Sequence, residues 1–377
     1  MYNCFAKVRS FFKNVIDYKN IFFIFTFEKQ FCRMIKGKDV TIYDLATELN
    51  ISVATVSRAL KDDPVVSKKT KKRIFELAEK RGYRTNHYAR NLRTQETNTI
   101  GFMIHELNSN FANSVLLGVE KVATETGYDL IIAHSSESYE KEVANAKNLF
   151  NKRVDGLIAS LSFDTKSYDH FKLFADKGIP VVFFDRVEKG NDNTVVIIDN
   201  YKCGYDATKH LIEQGCKRIA HITSNLGRNV YSERYRGFRD ALYDSKIDLD
   251  ESLVFVDNLS ENAGIQAAKK ILRLNPMPDA AFITNDFVAA AFIKTLKENG
   301  KKVPEDIAVV GFNNDAIAHL IEPSLTTVNY PGIEMGEIAA RTLINHLKGL
   351  SNIHQINTVV INSELIIRKS SLKKGKL

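Results

Sequence analysis

The sequence predicts a small N-terminal three-helix unit of helix-turn-helix type, followed by a two-lobed α/β body of parallel sheets with helices on both faces. Three observations carry this expectation. Apolar residues between Val40 and Gly82 recur at helical spacing and are interrupted by residues that cap and turn a helix. From Thr99 onward, short β-branched and aromatic runs alternate with amphipathic helical stretches, as strand–helix–strand units do. That alternation begins a second time after VVIIDN at 195–200, so two lobes are expected; at 377 residues the chain is also too long for one ordinary domain.

In the front unit, Thr41 is placed to cap a first helix, with Asp44 three residues on to complete a capping box. Ile42, Leu45, Ala46 and Leu49 form its inner stripe. Asn50 breaks the pattern with a residue that tolerates a left-handed turn. Ser52 caps a second helix over 53–61, with Val56 and Leu60 inward. A third helix starts at Ser67, runs through KKTKKRIFELAEK and stops at Gly82; Ile74, Leu77 and Ala78 are its inner face. Two helices joined by so tight a turn make a helix-turn-helix.

Charge is unevenly spread along the chain, whose net value is +8. Residues 34–97 hold 14 Lys and Arg against 8 Asp and Glu, residues 1–33 hold 6 against 2, and the rest is slightly acidic. A basic front suggests an anionic partner, nucleic acid or membrane surface, although a solvated basic face would look the same. The second helix favours nucleic acid. Val53 and Ala54 are small enough to meet thymine methyls in a major groove, Thr55 and Ser57 lie beside them, and Arg58 can reach guanine with two hydrogen bonds. Thr41, Ser52, Ser57 and the lysines of the third helix suit phosphates. A three-helix packing unit with no nucleic-acid role is the competing reading.

The body reads as strand 99–104, helix 113–127, then YDLIIAHS, KEVANAKNLFNKR, DGLIASL, YDHFKLFADKG and IPVVFFD in strand–helix alternation. After VVIIDN come a helix over 201–214, the strand RIAHITS and a helix containing ERYRGFRDAL. The strand LVFVD, the helix AGIQAAKKILRL, the strand DAAFITND, the helix VAAAFIKTLKENG and the strand IAVVGFN complete the second set.

Several classes are excluded. The four cysteines Cys4, Cys32, Cys203 and Cys216 form no C-x-x-C pair and no zinc spacing, so reduced thiols and no metal site are expected. No H-E-x-x-H, G-x-G-x-x-G, phosphate loop or G-x-S-x-G occurs, and no cofactor or catalytic residue is expected. The run IFFIFTF at 21–27 is too short to span a bilayer, and no small-residue cleavage site follows it. Met34 opens MIKGKDVTIYDLA, which reads as a protein start, so residues 1–33 are expected to be a non-native upstream extension; a short membrane-touching segment is the alternative.

The phrase VTIYDLATELNISVATVSRAL, followed by VVSKKTKKRIFELAEKRGY and NHYARNLR, resembles the DNA-binding signature of the LacI/GalR family of bacterial transcription regulators. Asn50 stands where that family usually has glycine. The phrases DGLI, IPVVFFDR, HLIEQGCKRIAHI, ERYRGF, FITND, VPEDIAVVGFNN, PSLTTV and ELIIRKSS extend the resemblance over nearly all of Val40 to Ser371.

The resemblance implies a hinge helix at Asn86–Arg93 that orders on operator DNA. Ala89 would let two such helices approach across a dimer axis, Leu92 would wedge into the minor groove, and Arg90 and Arg93 would lie along the backbone. It implies a periplasmic-binding-protein-like body whose chain crosses between lobes near Ile198, Val328 and Asn357. The expected organisation is 34–84 for DNA binding and 85–97 for hinge and linker. The body follows over 98–371, with lobe one about 98–197 plus 329–357 and lobe two about 198–328 plus 358–371. A basic tail occupies 372–377.

For the cleft, the resemblance implies Arg234 and Asp286 as ligand-binding residues, with Asp185 similarly placed after a strand and Phe111 as a stacking aromatic. Leu259 falls where some relatives carry an aromatic, and Asn313 replaces the family's usual Asp after Gly-Phe. A polyol or sugar needs such bidentate charged groups and flat faces. The expected protein is a cytoplasmic, nucleoid-associated homodimer and not an enzyme. It would be a repressor on pseudo-palindromic double-stranded operator DNA, controlled by a small effector, a sugar. A solute-binding transport or sensor protein shares the body but lacks the basic front.

Overall fold

The computed structural model describes residues 40–83, 96–188, 193–355 and 358–373. The chain divides after Gln95 into two units, which are treated separately. The expected extension at 1–33, the hinge residues Asn86, Ala89, Arg90, Leu92 and Arg93, and the last four residues of the tail lie outside the described residues.

The first unit contains α1 (Ile42–Leu49), α2 (Val53–Leu60) and α3 (Lys68–Arg81). The Thr41 side chain accepts from the Asp44 backbone while the Asp44 carboxylate accepts from Thr41 N–H at 2.7 Å, so the capping box closes in both directions. Asn50 ends α1 in the left-handed region at φ 52°, which turns the chain sharply toward Ser52, the cap of α2. Leu45, Ala46, Val56, Ala59, Val66, Ile74 and Ala78 are buried together; Ile42, Leu49, Leu60 and Leu77 pack partly against them. Arg81 ties α3 to α1 through Glu48 at 2.6 Å.

The body has two six-stranded sheets. The first joins β1 (Thr99–Ile104), β2 (Asp129–His134), β3 (Gly156–Ala159), β4 (Val181–Phe184), β5 (Thr194–Ile198) and β11 (Thr358–Ile361), in the order β11-β5-β4-β3-β1-β2, all parallel. The second joins β6 (Ile219–Thr223), β7 (Val254–Val256), β8 (Ala280–Ile283), β9 (Ala308–Asn313), β10 (Thr326–Asn329) and β12 (Leu365–Ile366), in the order β12-β10-β9-β8-β6-β7. Only β12 runs antiparallel, against β10. The helices of lobe one are α4 (Asn110–Thr126), α5 (Tyr139–Asn151) and α6 (Asp169–Ala175). Lobe two carries α7 (Asn200–Glu213), α8 (Asn229–Asp244), α9 (Glu261–Ile271), α10 (Asp286–Glu298) and the short α11 (Ile317–Leu320), and α12 (Gly332–Leu347) returns to lobe one. A continuous apolar core runs from Phe102 and Phe184 in lobe one to Phe282, Phe312 and Val328 in lobe two.

Two boundaries differ from expectation. Strand β11 pairs with β5 over Thr358↔Val195 to Ile361↔Ile198, so it belongs to lobe one and the third passage between lobes lies between Ile361 and Leu365, not near Asn357. The body also begins before residue 98, because Asp155 accepts Thr97 N–H at 2.9 Å and anchors that residue to lobe one.

Close helix contacts fix the lobes internally. A Cβ on Gly204 of α7 would lie 2.2 Å from the Arg234 carbonyl oxygen on α8, and one on Gly237 of α8 would lie 2.1 Å from the Tyr201 oxygen on α7. In lobe one, Gly118 of α4 and Gly336 of α12 meet Ile333 O and Val115 O in the same way, each at 2.1 Å. Glycine permits these backbones to touch; any larger residue forces them apart.

Candidate functional site

The first unit presents α2 outward along one side. Val56 and Ala59 are buried, which turns Ser52, Ala54 and Arg58 into solvent and leaves Thr55 and Ser57 half-exposed. Val53 packs partly against the three-helix core, so only part of it can face a partner. Ser52 Oγ accepts from Thr55 N at 3.1 Å and also meets Thr55 Oγ1 at 2.8 Å. That leaves little of Ser52 for a phosphate, unlike exposed Arg58. Lys68, Lys69 and Lys72 on α3 are exposed, whereas Lys71 is half-exposed and engaged with Asp62 at 2.6 Å.

In the body, a cavity of about 50 Å³ lies at the carboxyl ends of the strands of both sheets, where open α/β sheets bind ligands. Lobe one supplies Phe111, Asp185 and Arg186; lobe two supplies Tyr231, Arg234, Asn285 and Asn313, and Tyr330 stands in the passage between them. Phe111 stacks on Tyr330 with ring centroids 3.9 Å apart. The Tyr330 hydroxyl donates to Asp185. Burial raises the Asp185 carboxyl, an effect opposed by Arg186, by the Tyr330 hydroxyl and by Arg234. The same burial, with Asp185 beside it, holds the Tyr330 hydroxyl well above its ordinary range. His105, in the cavity wall, meets Ser160 Oγ at 3.0 Å and is kept neutral by burial and by the nearby Arg186.

The two arginines are treated differently. Arg186 donates from one terminal nitrogen to both Glu137 oxygens, at 2.7 and 2.8 Å, and lies 4.0 Å from the Phe163 ring centroid. Arg234, 3% exposed, donates its Nε to Asn200 at 2.8 Å and lies with its guanidinium 3.5 Å from the Phe312 ring centroid. Its terminal nitrogens have no protein partner among the described residues.

Three of the four expected cleft residues therefore meet: Phe111, Asp185 and Arg234. Arg234 is not at a strand–helix junction as expected, because α8 begins at Asn229 and carries it in the second turn. Asp286 does not line the cavity. It accepts from Thr327 Oγ1 at 2.7 Å and from Asp315 N at 2.8 Å, and burial, countered by those bonds, lifts its pKa to about 7. Gly311 leaves room for it: a Cβ there would be 2.2 Å from Asp286 Oδ1. Asn285 is the neighbour that faces the ligand space. Its Oδ1 caps α10, accepting from Phe287 and Val288 N–H. Asn313, Arg186, Tyr231 and Tyr330 also line the cavity and went unrecognised as ligand residues in the sequence. Asn313 and Asp185 adopt positive φ, 120° and 58°. Such backbone strain in non-glycine residues concentrates at binding sites.

A clasp ties the two lobes together next to the cavity residue Asp185. Arg228 donates to the carbonyls of Phe163 at 3.2 Å and Thr165 at 2.6 Å, and Asn225 donates to Phe163 O at 3.1 Å. Asn229 donates to Asp185 O at 3.0 Å and accepts from Val187 N at 2.9 Å. The lobe-one turn is held ready by buried Glu142, which accepts from Ser162 N at 2.7 Å and from Thr165 Oγ1 at 3.0 Å.

Residues 41–86 match the bacterial regulatory proteins of the lacI family, and residues 208–371 match a periplasmic binding protein-like domain. The chain is 34% identical over 333 residues to the HTH-type transcriptional regulator RegA of Clostridium saccharobutylicum, covering 88% of this chain and 99% of that protein. The chain belongs to the lacI family. Catabolite control protein A of Priestia megaterium is 31% identical over 310 residues, 82% of this chain and 93% of its own. Among solved structures, a transcriptional regulator CelR–cellobiose complex aligns with a TM-score of 0.66 at 28% identity, covering 88% of this chain and 99% of that one. The lac repressor dimer bound to operator and the anti-inducer ONPF aligns at 0.80 over 89% of this chain and all of that one; at 23% identity it shows the fold alone. As a lacI-family member the chain is a DNA-binding transcription regulator rather than an enzyme or a transport protein, and the helix-turn-helix joined to a two-sheet body is the family's architecture. No described helix is long and apolar enough to cross a membrane, and the described residues hold no cluster of potential metal ligands.

Proposed function

We propose that this protein is a cytoplasmic homodimeric repressor whose operator affinity is set by a small polyhydroxylated ligand in the cavity between its lobes. One observation carries the reading: the cavity draws Asp185 and Arg186 from lobe one and Arg234, Asn285 and Asn313 from lobe two. A ligand spanning it touches both lobes and biases their relative placement, which is the differential contact that allosteric control requires. The relatives support the class. One is solved with cellobiose and another, 28% identical, with D-xylulofuranose, while others are named ribose operon or PurR repressors.

On the DNA side, Ala54 and Arg58 of α2 read base edges, Ser57 and Thr55 approach the backbone, Thr41 and Ser52 chiefly hold the helices, and Val53 contributes a partial apolar edge. Two such units read a pseudo-palindrome, and the hinge residues Asn86, Ala89, Arg90, Leu92 and Arg93 dock at its centre, with Leu92 as the minor-groove wedge. The test is operator selection from random duplexes with the full chain, followed by titration of the selected duplex with and without a panel of sugars. A symmetric site and a ligand-dependent Kd support the proposal. An asymmetric site, or a Kd that no member of the panel alters, overturns the corresponding half.

A further inference from the structure

Three passages of chain join the lobes, and they are tied to one another beside the cavity. Asn329, the last residue of β10 before the second passage, donates its N–H to Glu364 O at 2.8 Å and accepts the Ser363 hydroxyl on its own carbonyl, so it holds the third passage. Cys203 on α7, just past the first passage, is hydrogen-bonded to the same Ser363 side chain. The sheet register sets Asn329 opposite Asn313, the end of β9 and a residue of the cavity wall.

The turn after β9 is where the cavity meets this knot. Asn313 and Asn314 take positive φ in succession, 120° and 58°, a conformation that needs outside support. Asn313 O accepts Tyr330 N–H at 3.3 Å. Asn314 N–H donates to Thr327 Oγ1 at 3.2 Å, and its amide nitrogen donates to Asn329 Oδ1 at 3.2 Å. Arg368, beyond the third passage, donates to Leu325 O at 2.8 Å and to Asn314 Oδ1 at 2.7 Å. A guanidinium only donates, so it fixes the Asn314 amide with its oxygen toward Arg368 and its nitrogen toward Asn329. The turn also touches lobe one: Asp315, which takes the Asn313 amide at 3.3 Å, is hydrogen-bonded to the Asn110 side chain. Neither Asn314 nor Arg368 lines the cavity.

We infer that Asn314 is a positioning residue for the effector response: held by Arg368, its amide joins the cavity turn to Asn329, so a ligand that displaces Asn313 moves the passages and with them the angle between the lobes. This rests on the cavity being the effector site. The link is one side-chain bond, so it can be cut without unmaking either sheet. Asn314→Gly keeps the left-handed turn and removes the amide. Asn329→Ala cuts the same bond from the other end and spares the main-chain bonds to Ser363 and Glu364. Arg368→Lys keeps the charge but has no fork to serve both acceptors.

The experiment measures the distance between nitroxide labels on the full chain, with Lys152→Cys in lobe one, Lys269→Cys in lobe two, Cys4→Ser, Cys32→Ser and unlabelled chain in excess. Both lysines are exposed, whereas Cys203 and Cys216 are buried. Without ligand, Asn314→Gly and Asn329→Ala should each widen the distance distribution, the double variant no further than either, and Arg368→Lys by less. Unchanged distributions in both single variants overturn the inference, as does a double variant whose widening is the sum of the two. A merely structural role would lower the urea midpoint and leave the distances alone. Repetition with D-ribose, D-xylulose and cellobiose separates the two readings. A sugar that shifts the wild-type distance and operator Kd should lose most of its effect on Kd in either variant, about fivefold or more. No shift with any of the three overturns the cavity reading, and the ligand-free distances still decide the link. If one single variant does not fold, the other carries the measurement.

Discussion

Replacing Gly204 by alanine tests whether a helix contact, rather than the arginine's own surroundings, places the Arg234 guanidinium. The new Cβ would start 2.2 Å from the Arg234 carbonyl oxygen and 2.8 Å from its Cα. Both are backbone atoms, so no side chain can swing away. Ordinary contact begins near 3.4 Å, so α7 and α8 must separate by about 1 Å. Overpacking of this kind costs roughly 1–3 kcal/mol of stability. The same shift carries Arg234 away from Asn200 and from the cavity, lengthening its 2.8 Å bond beyond useful range. Effector affinity should fall about tenfold or more, the loss of one charge-assisted bond. Urea unfolding gives the first quantity and calorimetric titration with the tightest effector gives the second. Gly300→Ala is the comparison, because that glycine has φ +74° with nothing within 4 Å. It should cost on the order of 1 kcal/mol through backbone strain and leave affinity alone. If Gly204→Ala loses stability but binds the effector as before, the glycine contact does not position Arg234.

Three further outcomes are expected. Arg58→Ala should weaken operator binding by about 1–3 kcal/mol and relax one base position per half-site in a selection experiment; equal loss on operator and random duplex would make Arg58 a backbone contact. His221 sits in the lobe-two core against Phe238, and burial lowers its pKa to about 3. Between about pH 3 and 6.5 its neutral form therefore prevails only in the folded state. Stability is whole above about pH 6.5 and lost as pH falls toward 3, by roughly 2 kcal/mol at pH 5, and His221→Phe should flatten that slope in urea titrations at pH 7 and 5. Arg228→Ala removes two of the bonds between lobes, so amide hydrogen exchange at 162–165 should quicken and effector release should speed up; unchanged exchange would show that the clasp does not hold the lobes.

What could be read from the sequence was what local chemistry determines. The Thr41–Asp44 box, the left-handed turn at Asn50, the Ser52 and Ser67 caps and the Gly82 stop each depend on a few neighbouring residues, and each is present. The body's alternation was legible for the same reason, although α12 escaped notice because Gly332 and Gly336 disguise a helix whose inner face needs small residues. Strand β11 could not be placed from its own residues, since its partner β5 is some 160 positions earlier and register is decided by packing. The cavity was half legible. Arg234, Asp185 and Phe111 reach it, but Asp286 and Asn285 are adjacent at a strand-to-helix turn and face opposite ways. Asn285, extended at φ −158°, caps the helix and meets the cavity, while Asp286 enters the helix and turns to Thr327. Tyr330 went unrecognised because the strand before it carries only four residues.

The clasp between lobes is chemically one-sided. Its lobe-one partners for Asn225, Arg228 and Asn229 are all main-chain groups, the carbonyls of Phe163, Thr165 and Asp185 and the N–H of Val187. Side-chain drift at positions 163 and 187 leaves every acceptor and donor in place. The three lobe-two side chains alone can be exchanged to loosen or tighten closure. Effector sensitivity can therefore be retuned from a five-residue stretch, Asn225 to Asn229, while the ligand-contacting walls stay as they are.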